Sequence, residues 1–98
     1  MVKINDINYE IIEDNKNAFD IGVVEEKLTD YFYDYDYVLG DWAYGKLRLK
    51  GFNDKKNKNY NKINAYENIK EYIEENCAYG CKYFIIKRIS VDKETKMW

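Results

Sequence analysis

Residues 40–47, GDWAYGKL, follow the G-x-x-x-x-G-K spacing of a phosphate-cradling loop until the last position. There Leu47 replaces the serine or threonine whose hydroxyl would hold magnesium. Such a loop must also lead from a strand into a helix N-terminus whose N–H groups face the anion, whereas Lys46 opens the strand-like run LRLKGF. Nucleotide hydrolysis is set aside. Cys77 and Cys81 have C-x-x-x-C spacing, yet a closed zinc site needs four ligands and the chain has no histidine. They read as two half-buried thiols beside a helix end, with a redox pair as the alternative. Lack of histidine also removes the usual general base near neutral pH. Asp34, Asp36 and Asp41 are close enough in sequence for acid–base work, but among 18 acids they read as solvated caps and turn formers. The expectation is a non-enzyme with no catalytic residue, no metal and no cofactor.

One cluster remains. In residues 46–50 the period-two alternation of a strand puts Lys46, Arg48 and Lys50 on one face and Leu47 and Leu49 on the other. Two apolar runs flank residues 43–45, so residues 36–52 read as a single β-hairpin whose register decides what joins the cations. With a three-residue loop, Ala43-Tyr44-Gly45, Trp42 pairs with Lys46 and joins the cationic face. That face would offer a stacking plane for bases and, at Arg48, a bidentate phosphate contact. With a two-residue loop, Tyr44-Gly45, Asp41 pairs with Arg48 and Trp42 turns inward beside Leu47, which makes the cluster structural. Lys55, Lys56 and Lys58 would extend a basic track. The candidate contact residues are thus Trp42, Tyr44, Lys46, Arg48, Lys50, Lys55, Lys56 and Lys58. Single-stranded RNA or DNA is the first candidate partner and a protein the second, because exposed aromatics and arginine also dominate protein interfaces.

The hairpin needs a scaffold. Residues 1–4 and 7–13 are β-prone runs separated by Asn5-Asp6, which suits a turn. Apolar residues at 21, 24, 28, 31, 32 and 35 follow the spacing of one helical face, with Asp20 as its cap. The polar run 53–62, NDKKNKNYNK, reads as a loop. A second amphipathic helix follows through Ala65, Ile69, Tyr72, Ile73 and Cys77, with Asn64 as a capping residue and Gly80 as its stop. Residues 81–91, with the apolar run Tyr83-Phe84-Ile85-Ile86, read as the most buried strand. The order ββαββαβ predicts an α+β fold with a mostly antiparallel sheet and both helices on one face. A single domain over residues 1–91 is expected, with a short charged tail at 92–98.

Ninety-eight residues suffice for one core without metal or disulfide staples. The first residues lack the apolar stretch of a signal peptide and no run is long enough to span a membrane, so the expectation is a cytoplasmic chain with two reduced thiols. The net charge of −2 conceals a dipole, −8 over residues 1–41 and +6 over residues 42–98. Such asymmetry suits either a basic binding face or halves that attract one another.

The stretch YDYVLGDWAYGKLRLKGF at 35–52, followed by a helix ending in CAYGCKYFIIK, resembles the YutD-like family of small proteins of low-GC Gram-positive bacteria. The resemblance runs from about residue 7 to residue 89. It implies a cytosolic single-domain α+β protein without an assigned activity, at times labelled a transcriptional regulator, and it carries over no catalytic residue. The resulting expectation is a non-enzymatic binding or regulatory module.

Overall fold

The computed structural model describes residues 2–76 and 81–89. Asn5 and Asp6 take φ of 51° and 70°, the left-handed values a two-residue hairpin turn needs, and fold β1 (Val2–Ile4) onto β2 (Ile7–Asp14). Next comes α1 (Ile21–Lys27), whose cap is Asp20: its Oδ1 accepts the N–H groups of Gly22 and Val23 at 3.1 and 3.4 Å. The apolar stripe of residues 21–35 does not stay in one helix. At Leu28 ψ turns to 87°, Asn5 Nδ2 takes the Leu28 carbonyl at 2.8 Å, and the stripe resumes as a 3-10 turn at Asp30–Phe32. Gly22 and the β-branched pair Val23-Val24 give this segment little helical persistence of its own.

β3 (Tyr37–Ala43) and β4 (Lys46–Phe52) form the expected hairpin, and β5 (Tyr83–Arg88) lies between β2 and β3. The sheet order is β1-β2-β5-β3-β4, antiparallel throughout. Phe84, Ile85 and Ile86 are fully buried, as a strand paired on both sides and covered on both faces must be.

The second helix begins later than its sequence pattern suggests. Ala65 is extended because residues 64–66 bridge to the end of β4: Asn53 N–H donates to the Asn64 carbonyl and Tyr66 N–H to the Asn53 carbonyl. Asn64 is therefore no helix cap. Its side chain serves the loop, accepting from Asn61 N–H at 2.9 Å and donating to the Asn59 carbonyl at 3.1 Å. A 3-10 turn at Tyr66–Asn68 leads into α2 (Ile69–Asn76).

The helices are not on one face of the sheet, as the sequence pattern suggested, but on opposite faces. Val24 and Leu28 of α1 join Val38, Leu47, Phe84 and Ile86 in one core, whereas Ile69 of α2 joins Tyr37, Leu39, Phe52 and Ile85 in another. Neighbouring strand residues point to opposite faces, so the unbroken apolar runs of β3 and β5 demand cover on both. Between Ile11 and Glu13 the register of β2 against β5 shifts, which turns Glu13 to the α2 side. There it accepts hydrogen bonds from Lys70 and Tyr83 and ties three elements together, and those bonds, Lys70's first, hold its carboxyl below the ordinary 4.5.

Gly80, Cys77 and the tail 92–98 with Trp98 lie outside the described residues. Cys81 is disulfide-bonded rather than a free thiol, which corrects the expectation of reduced cysteines at this position. No helix among the described residues is long and apolar enough to cross a membrane.

Candidate partner-binding hairpin

Tyr44 and Gly45 form the turn of the β3–β4 hairpin with φ of 54° and 76°, so both central residues are left-handed and the loop has two residues. Asp41 therefore pairs with Arg48 and Trp42 with Leu47. Of the two registers the sequence allowed, this is the one that draws Trp42 away from the cations.

Trp42 is half-buried against the α1-side core. Its indole N–H donates to the Ala18 carbonyl at 2.8 Å, and Lys82 Nζ stands 5.3 Å from its ring centroid. Arg48 forms an ion pair with the buried Asp41 and also donates to the Asn76 carbonyl at the end of α2, at 3.2 Å. The carboxylate raises the guanidinium's pKa above its ordinary value. Lys50 lies 5.3 Å from the ring centroids of both Phe52 and Tyr72, and Lys46 is exposed. Tyr44, at the tip, is fully exposed.

Two tight glycine contacts hold the hairpin in place. A Cβ at Gly40 would lie 2.2 Å from the Phe84 ring, and one at Gly51 would lie 2.2 Å from the Tyr35 ring. Gly40, the first glycine of the G-x-x-x-x-G-K match, is a seat for an aromatic ring rather than part of a phosphate loop.

Lys55, Lys56 and Lys58 are exposed in the loop beyond β4, with Lys55 3.8 Å from Glu67. A seven-residue strand, roughly 20 Å long, separates them from the tip. The loop is held by its asparagines: Asn53 Oδ1 accepts from Asp36 N–H at 3.0 Å and from Asn57 Nδ2 at 3.1 Å. Asp36 reaches Arg88 at 3.4 Å and accepts from Asp54 N–H at 2.9 Å, so Asp36 and Asp41 each have a structural partner. Asp34 lines a polar cleft of about 470 Å³ with Asp30, Tyr31, Tyr35 and several of the loop asparagines. Among the described residues no three His, Cys, Asp or Glu side chains gather to hold a metal.

Sequence reasoning missed a groove of about 250 Å³ along the outer side of β4. It lies between Leu49 and Gly51 and the side chains of Tyr31, Tyr35 and Ile63. Ile63, an isolated aliphatic residue directly after the polar run 53–62, was the available signal, and in the structure it is 79% exposed.

Residues 3–87 match the model of a family described as "Putative antitoxin YutD-like". "Putative antitoxin YutD" of Bacillus subtilis (strain 168) is 38% identical over 89 residues, covering 91% of this chain and 98% of the relative. The solution NMR structure of protein yutD from B. subtilis superimposes with a TM-score of 0.74 at 34% identity, covering 98% of this chain and 90% of that one. With a matching α+β fold and nearly end-to-end similarity, the chain belongs to the YutD-like family.

Proposed function

We propose that this domain is a non-catalytic binding module that engages a protein partner through the tip and outer strand of the β3–β4 hairpin. The observation that carries the proposal is Tyr44. Its φ of 54° is a left-handed conformation that costs a bulky L-residue roughly 1–2 kcal/mol, while its ring is fully exposed. Asparagine or glycine would make the same turn more cheaply. A strained, exposed aromatic beside Lys46 and Arg48 has the composition of an interface hot spot. The family's description as antitoxin agrees with a role exercised by binding rather than by catalysis. The contact set is Tyr44, Lys46, Arg48 and Lys50. Trp42 is left out because its indole N–H is engaged by Ala18, and without that plane a single-stranded nucleic acid loses its best stacking partner.

Replacing Tyr44 with asparagine tests this. The variant should be more stable by about 1 kcal/mol, raising Tm by roughly 4–8 °C. In capture from host-cell extract, the nuclease-resistant protein retained by the wild-type chain should fall about tenfold or more. Undiminished retention, or retained material that disappears with nuclease, would overturn the proposal.

A further inference from the structure

In a two-residue hairpin the residues flanking the turn exchange hydrogen bonds, so Ala43 and Lys46 form a bonded pair and the bonded pairs then alternate. The N–H and C=O groups of Leu47, Leu49 and Gly51 consequently point away from β3, towards the open side of the sheet. Asn53 confirms this parity: next in the same outward series, it exchanges hydrogen bonds with residues 64–66 in a parallel bridge. Among the described residues no backbone group pairs with the outward groups of Leu47, Leu49 and Gly51, and β4 ends the sheet. Beside them runs the 250 Å³ groove with Tyr31 and Ile63, 67% and 79% exposed.

From this edge we infer that β4 accepts an extended segment of the protein partner as a sixth strand, in which carboxylates alternate with apolar side chains. The inference rests on the protein-partner reading of the hairpin and names how that partner is held. Cross-strand neighbours point to the same face. Residues opposite Lys46, Arg48 and Lys50 would therefore face the α2 side, where all three neighbours are cationic and the Arg48 side chain stays 52% exposed despite Asp41. Residues opposite Leu47, Leu49 and Gly51 would face the other side, against Leu49, Tyr31 and Ile63. A second copy of this chain is a poor occupant. In an antiparallel pair outward residues lie opposite only outward residues, so every antiparallel register of β4 on β4 sets the Lys-Arg-Lys rows against each other, and like charges directly opposite repel. The same row that guards against self-pairing is complementary to an acidic strand.

The probes are two acetylated heptapeptides, one alternating glutamate with valine and one alternating lysine with valine, titrated into the full ¹⁵N-labelled chain. The glutamate peptide should shift the amides of Leu47, Leu49 and Gly51 and slow their hydrogen exchange about tenfold or more, and the lysine peptide should bind about tenfold more weakly. In the Lys46→Glu/Lys50→Glu variant this preference should reverse. Lys46→Glu alone, at an exposed position, should weaken the glutamate peptide even if the double variant folds poorly. Unprotected edge amides at millimolar glutamate peptide, equal affinity for both peptides, or the same amides responding instead to single-stranded RNA would overturn the inference. A protein captured through Tyr44 and held undiminished by the charge-reversed edge would remove the added strand while leaving the hairpin as an interface.

Discussion

Gly40→Ala should destabilise the domain by about 3 kcal/mol, the upper end of the usual range for overpacking, and lower Tm by roughly 12–24 °C. The new methyl would sit 2.2 Å from Phe84 Cζ and 2.4 Å from Cε2, inside any tolerable contact. Phe84 is fully buried and meets Phe19 edge-on at a centroid distance of 5.1 Å, so its ring has nowhere to retreat. A thermal or urea melt checks the cost. The cause is checked by the double variant with Phe84→Leu, which frees the space: the two costs should fail to add by about 1 kcal/mol or more. Additive costs would mean that the ring is not what Gly40 accommodates. Gly51→Ala should cost less, because the Tyr35 ring that it would strike is only half-buried and can swing outward.

The second large effect belongs to Trp42. Trp42→Ala should cost about 3 kcal/mol, the low end for a tryptophan truncated in a core, because part of the ring remains exposed. Trp42→Phe keeps most of the packing and gives up the hydrogen bond to the Ala18 carbonyl, so it should cost about 1 kcal/mol. A tryptophan standing free on a cationic face would give changes within about 0.5 kcal/mol for both variants. Denaturant unfolding separates the two cases, and the structural one predicts that Trp42→Phe still captures the same protein partner as the wild-type chain.

Much of the scaffold was legible because local chemistry decided it. Asn5-Asp6 marked a turn, Asp20 marked a cap, and the run at 83–86 marked a buried strand, each through residues within a few positions of one another. What escaped the sequence was settled at long range. The stripe at 21–35 looks like one helix until Asn5, 23 residues before Leu28, takes its carbonyl. Asn64 looks like a cap until the end of β4 claims its backbone and the loop its side chain. Both helices were expected on one face although the unbroken apolar runs of β3 and β5 already called for cover on both; the strand order that sets β5 between β2 and β3 leaves no mark on local sequence.

The candidate site was legible in composition and open in register. Lys46, Arg48 and Lys50 share a face in either register, so their grouping was secure from alternation alone. The fate of Trp42 hung on one residue of loop length, which the sequence left open, and the chain adopts the shorter loop with Tyr44 at a φ of 54°. The strain at Tyr44 that the two-residue loop imposes is the feature that points to function. The groove beside β4 left Ile63 as its one mark in the sequence, because Tyr31, Tyr35 and Ile63 reach it from segments far apart in the chain.

The most direct test of this account is a titration of the ¹⁵N-labelled chain with mixed short single-stranded RNA and DNA at low and physiological salt, following the Trp42 indole N–H. Trp98→Phe assigns the signal. The indole resonance should stay in place at both salts and exchange slowly, as expected for a donor engaged by the Ala18 carbonyl. A shift of that resonance, together with the Arg48 and Lys50 amides, that weakens steeply with salt would contradict it and make the hairpin a nucleic-acid surface.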